Sequence, residues 1–454
     1  MPIPPSDDVV DASAPGPAAP QLVSDEQLVP DMAVAAISED CLAAEIWTPD
    51  VDGRRPVLVW VPGGRYQIGG AGLATYDGSR LAAEGDLVVV GVNYRLGALG
   101  FLVADDVPSN LGLRDLLAAL RWLRAEAAAF GGDPDRIILM GESAGAGAIA
   151  HLLAIPETES LIAGAILQSG APASTLTRDV AATVTESLLR AAGVETVDGL
   201  RTLPLDELLT AQAAADAEML ATVGMMPLHP VVDDDLLTDS PMAAARARTL
   251  AAIPLVIGTT MHEMELFRDA IPELPVELSV PFLASKLTPV LGATPSDETV
   301  GRGLDAVDAD LAEAIADTDL HLPAALIADA HAARELPVWR YRFDWQAPTI
   351  KAAHATDLPF TFGTLDVDTW REFLGAGGDA AAEADSLSAR MRSAWASFCH
   401  SLRPECSPVG PWPLHDPIRR AQVVLGRTVE VVDDLDGERF RAWTGIASTT
   451  DEEA

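Results

Sequence analysis

At 454 residues and 49% hydrophobic, the chain is long enough to bury one large core, and α/β folds often run to this length as a single unit. The formal net charge is −38, and the basic side is almost all arginine, with Lys286 and Lys351 the two lysines. This balance argues against nucleic acid or an anionic membrane as a partner, and no apolar run reaches membrane-spanning length.

The N-terminus, Met1-Pro-Ile-Pro-Pro, lacks the basic start and apolar stretch of a signal peptide. Cys41, Cys399 and Cys406 are an odd and sparse set, expected as reduced thiols in a cytoplasm. Residues 1–37, rich in Pro, Ala and Asp, read as an extended lead-in, and 38–454 as one domain. Residues 42–48 and 56–61 are β-rich and bracket the turn Pro49-Asp-Val-Asp-Gly53, which predicts an antiparallel pair. Directly after comes Pro62-Gly-Gly-Arg-Tyr66, a glycine-rich loop where backbone can approach a ligand closely.

Residues 86–93 predict a buried strand, and 112–129 a helix with Leu113, Leu116, Leu117, Leu120 and Leu123 on its inner side. The apolar run 136–140 then breaks into Gly141-Glu-Ser-Ala-Gly145 and continues as a small-residue helix. This is the nucleophile elbow, in which a strained strand-to-helix turn exposes a serine and the glycines two residues to either side leave room for passing chain. A dinucleotide fingerprint needs G-x-G-x-x-G, a spacing that Gly141, Gly145 and Gly147 do not have, and a phosphate loop needs an absent G-K-[ST]. Further strands are predicted at 164–168, 254–258 and 337–343, with helices between, giving an α/β fold with a mostly parallel sheet covered on both faces. Ala-rich segments near 178–222 and 271–335 predict a helical cap over the carboxyl ends of the strands, and 386–402 an amphipathic helix.

A serine hydroxyl needs a base, and the base needs an acid to hold its tautomer; in this fold they follow in the order Ser, acid, His. Of eight histidines, His354 lies on a loop after what reads as the last strand. Glu263, after the strand at 254–258, is the best acid, with Glu265 and Asp269 as local rivals. His262-Glu263 does not make a zinc helix, because Leu266 stands where H-E-x-x-H needs its second His.

Together these residues resemble the type-B carboxylesterases, the family of cholinesterases, certain lipases and the non-catalytic neuroligins. The resemblance runs from Ala14-Pro-Gly-Pro-Ala-Ala-Pro-Gln21 through Ser38-Glu-Asp-Cys-Leu42, Asn93-Tyr-Arg-Leu-Gly-Ala-Leu-Gly-Phe101, Phe130-Gly-Gly-Asp-Pro134, the elbow, Gln168-Ser-Gly170, Pro230-Val-Val-Asp233 and His354-Ala-Thr-Asp-Leu-Pro-Phe360 to Trp412-Pro413. It implies Ser143 as nucleophile, Glu263 as acid, His354 as base, and the N–H groups of Gly64, Arg65 and Ala144 as the oxyanion hole. Glu142 is expected to support these groups rather than touch substrate. The implied function is hydrolysis of small or medium apolar carboxylic esters, without metal or cofactor. The alternatives are a neuroligin-like binding protein, or a lipase or carbamate hydrolase of the same fold.

Three departures stand out. The family's oxyanion loop reads H-G-G-G-F or H-G-G-A-F, so Arg65 replaces a small residue and would crowd or charge the pocket mouth. Met264 follows the acid where the family has glycine. The loop carrying the choline-binding tryptophan of cholinesterases is expected to be missing, which predicts an open site with no aromatic cation box.

Overall fold

The computed structural model describes residues 12–22, 28–105, 107–170, 175–220, 222–271 and 275–445. The strand β2 (Arg55–Val61) is buried from Pro56 onward, so it needs neighbours on both edges and cover on both faces. It receives both. β2 runs parallel to β3 (Val88–Val92) on one side and to β4 (Gly132–Glu142) on the other.

β5 (Gly164–Gln168), β6 (Leu255–Thr260) and β7 (Val338–Asp344) continue the parallel series from β4. β8 (Glu405–Cys406) and β9 (Gly410–Pro411) form a separate small pair. β10 (Gln422–Gly426) then adds to β7 in parallel, and β11 (Val429–Val432) closes that edge antiparallel. With β1 (Ala44–Trp47) antiparallel to β3 at the other edge, the order is β1-β3-β2-β4-β5-β6-β7-β10-β11.

Side chains alternate between two cores, as strand geometry requires. Val57, Val59, Ile137 and Leu139 face one layer with Leu113, Leu117 and Leu120 of the helix Leu111–Glu126. Leu58, Trp60, Ile138 and Met140 face the other, with Leu387, Met391, Trp395 and Phe398 of the helix Ala381–Ser401. Each such side chain, once buried, contributes about 1.5–3 kcal/mol of transfer free energy.

Two expectations are corrected. The segments flanking Pro49–Gly53 do not pair with each other, because β3 lies between β1 and β2. The fully apolar β2 belongs in the sheet interior, while the half-buried β1 suits an edge. Nor is β7 the last strand of the sheet, since β10 and β11 follow it. The segments predicted as a helical cap hold helices at Arg178–Ala192, Leu205–Met219, Val276–Leu291 and Leu322–Ala332, among others.

Candidate active site

β4 ends at Glu142, and Ser143 follows at φ 55°, ψ −126°, immediately before the helix Ala144–Leu153. That left-handed backbone is unusual for a residue with a side chain and stores strain at the turn. Close packing holds it there. A Cβ on Gly145 would lie 2.0 Å from the Val61 carbonyl oxygen, and one on Gly170 2.4 Å from that of Ser143. A Cβ on Gly63 would meet the Ser143 Cβ at 3.1 Å.

Glu263 follows β6 at the head of a short 3₁₀ turn and is wholly buried. Its Oε1 accepts the Thr260 N–H at 2.7 Å, while Oε2 lies 2.7 Å from His354 Nδ1. The rivals lie elsewhere. Glu265 pairs with Arg268 and Lys351, and Asp269 is exposed. The loop after β7 is drawn to the acid by a bridge between His262 and Ala353 and by the His354 N–H on the Glu263 carbonyl at 3.3 Å. The Phe267 ring lies 5.6 Å from the imidazole, centre to centre.

On its other side, His354 Nε2 lies 3.1 Å from Glu142 Oε1, and among the described residues no hydrogen bond joins it to the Ser143 hydroxyl. Glu142 therefore touches the imidazole directly, a contact that its place in the pentad did not announce. Asp357 is a third buried carboxyl nearby, accepting the Gln168 amide at 2.9 Å.

These groups set one another's charge. Burial pushes Glu142 up to about 8, and the neighbouring Asp357 and Glu263 carboxylates add to the rise against the opposing pull of His354. Burial pushes Asp357 up to about 7, with the Glu263 charge adding. For Glu263 burial also acts upward, but the His354 hydrogen bond and charge outweigh it and hold the acid below its ordinary range. Burial lowers His354, yet the charges of Glu142 and Glu263 and the Glu263 hydrogen bond carry it above the ordinary imidazole range. Glu142 and His354 thus compete for one proton, and a neutral Glu142 withdraws the largest support for the imidazolium.

Gly64, Arg65 and Tyr66 all have positive φ, at 113°, 57° and 61°. The turn closes when the N–H groups of Gln67 and Ile68 both donate to the Gly64 carbonyl at 3.0 Å. Among the described residues, the N–H groups of Gly64 and Arg65 find no acceptor. Ala144, first in its helix, has no intrahelical acceptor for its own.

Two cavities of about 510 and 140 Å³ meet at Ser143, both bordered by Arg65, Met225, Phe267 and His354. Beyond those shared residues, the smaller is lined by Met226, Met264 and Leu320, so Met264 fills space beside the serine. The larger is walled by Leu22, Leu28, Val29, Met32 and Val34 on one side and by Leu209, Asp216 and Leu220 on another. The N-terminal wall is therefore present, which corrects the expectation of an open site, and its described residues include no aromatic side chain.

A parallel sheet with antiparallel edges, a serine on a strained turn at the end of a central strand, and an acid and a histidine on the loops after later strands define an α/β-hydrolase fold. Comparison with known proteins narrows the class. The profile of the Carboxylesterase family matches residues 1–443, and the chain belongs to that family of ester-hydrolysing enzymes. It is 35% identical over 450 residues to the para-nitrobenzyl esterase of Bacillus subtilis (strain 168), a match covering 95% of this chain and 88% of that protein. The fumonisin B1 esterase of Sphingopyxis macrogoltabida is 33% identical over 424 residues, covering 89% and 76%. Among solved structures, a PNB esterase superimposes with a TM-score of 0.84 at 33% identity, covering 96% of this chain and 90% of its own.

Proposed function

We propose that the chain hydrolyses small or medium apolar carboxylic esters through an acyl-enzyme on Ser143. The observation that carries this reading is the 2.7 Å contact between His354 Nδ1 and Glu263 Oε2, with Ser143 on its strained turn facing the same cavities. Glu263 fixes the proton on Nδ1, which leaves Nε2 as the basic nitrogen. Nε2 moves from Glu142 to the Ser143 hydroxyl and takes its proton as the oxygen attacks the ester carbonyl. Apo arrangements of such groups are commonly looser than the reacting complex.

The N–H groups of Gly64, Arg65 and Ala144 receive the tetrahedral oxyanion, and each donor of this kind is worth about 10²- to 10³-fold in kcat. Collapse expels the alcohol, which takes the proton from His354 Nε2. Water, deprotonated by the same nitrogen, then releases the acid. The Met225, Met226, Met264, Phe267 and Leu320 lining of the smaller cavity suits an apolar group there. Three buried, unpaired thiols suit a reducing compartment such as the cytoplasm.

The test is labelling. An organophosphate should modify the wild-type chain once and Ser143→Ala not at all, and the variant should lose turnover of a chromogenic short-chain ester. Labelling that persists in the variant would identify another nucleophile.

A further inference from the structure

We propose that the Arg65 guanidinium is an anion-recognising subsite beside Ser143, selecting esters that carry a second, ionised acid group. The inference rests on Ser143 being the nucleophile. Arg65 borders both cavities that meet at Ser143, so its side chain stands where a substrate must lie. Among the described residues its guanidinium makes no hydrogen bond and no ion pair, leaving up to five N–H donors unmatched.

A carboxylate that feels its charge does not use up this capacity. Asp216, on the helix Leu205–Met219 across the larger cavity, feels the Arg65 charge but lies beyond ion-pair distance. Its Oδ2 accepts the Gln67 amide at 2.8 Å, while among the described residues its buried Oδ1 has no hydrogen-bond partner. At Arg65 itself the unmet demand is for an acceptor, and a carboxylate fits a guanidinium in a two-pronged contact. The setting sharpens the point. A molecule of net charge −38 repels anions in general, so a lone guanidinium beside the reacting atoms discriminates locally where the surface does not.

If Arg65 served only to offset Asp216, the Arg65→Ala loss would come from the unmasked Asp216 charge and would vanish when Asp216→Asn is added, whereas loss of a direct carboxylate contact persists in the double variant. That alternative is separable by measuring kcat/KM as a ratio, acidic ester over neutral isostere, so that any effect common to both substrates cancels. One arm places the carboxylate on the acyl side, as 4-nitrophenyl hydrogen glutarate against 4-nitrophenyl valerate. The other places it on the alcohol side, as 4-carboxyphenyl butyrate against its carboxamide. In at least one arm Arg65→Ala should lower the ratio by roughly 10- to 100-fold, with Arg65→Lys recovering part of the loss.

Asp216→Asn, which removes the opposing charge, should raise the same ratio several-fold. A ratio that Arg65→Ala leaves within about twofold in both arms would overturn the proposal, as would an Asp216→Asn ratio that stays level or falls. Should Arg65→Ala prove inactive on every ester, Arg65→Gln decides by the same criterion. Failure of the serine reading is distinct, because it would appear as turnover of both esters by Ser143→Ala.

Discussion

His354 meets a carboxyl at each ring nitrogen, Glu263 at Nδ1 and Glu142 at Nε2, and the two contacts have opposite consequences for a base. Glu263→Gln should lower kcat by roughly 10²- to 10⁴-fold, because the imidazole loses the partner that fixes its tautomer. Damage from Glu265→Gln in its place would mean that the acid is assigned wrongly. Glu142 instead raises the affinity of His354 for a proton, and a protonated base is inactive. With Glu142→Gln the acid-side fall of kcat/KM should move to lower pH, by about one pH unit or more. A pH profile that stays in place or moves upward would rule out the coupling. The turn at Ser143 and the meeting of Glu263 with His354 were legible because elbow, chain order and loop position each leave a mark in sequence. The Glu142 contact and the buried Asp357 were not, since which way a side chain turns at a strand end is decided by packing from distant segments.

At the scale of elements, the elbow is a junction of three segments that tolerate no added atom. Gly145→Ala would drive a methyl to 2.0 Å from the Val61 carbonyl of β2, so a loss of about 1–3 kcal/mol and of esterase activity is expected in melting and kinetic assays. Retention of both would mean that β2 yields there. Gly301, inside the helix Asp297–Asp305, would carry an added methyl into open space, with nothing within 4 Å, and Gly301→Ala should stabilise by about 0.5–1 kcal/mol. The parallel strands were legible from short apolar runs between helical stretches. Their order was not fully so, because a turn-like Pro49–Gly53 connects β1 and β2 without pairing them, and the partner of β1 lies some 40 residues on, in β3. The β10 and β11 pair, Val423 to Val432 around Gly426, carries a strand signal of its own, but nothing local says that it extends the sheet beyond β7.

For the whole molecule, buried carboxyls and surface charge pull on stability and selectivity together. Glu142 and Asp357 hold protons more tightly folded than unfolded, so their stabilising contribution is full below the ordinary carboxyl range of ~4 and is lost as pH rises through about 7 to 8. Asp357→Asn should therefore flatten the decline of Tm between pH 5 and 9, by roughly 1–3 °C in calorimetry. An unchanged slope would show that Asp357 is ionised throughout. The net charge of −38 attracts cations weakly, and that attraction fades with salt. The aliphatic N-terminal wall adds no aromatic face to hold a quaternary ammonium, so butyrylcholine should show no salt-resistant advantage above about tenfold over its uncharged isostere in kcat/KM. That same wall is pinned to the body by the Gln21 side chain, which bonds both the N–H and the carbonyl of Gly69 at 2.7 and 2.8 Å, and by the Asn93 amide on the Pro17 carbonyl. Trimming past Pro20 removes the Pro17 contact and loosens this wall, so the relative kcat/KM of long- and short-chain esters is expected to shift in the trimmed chain. Substitutions at Leu28, Val29 and Met32 are expected to do the same with the chain intact, a dial on ester choice set from its N-terminal end.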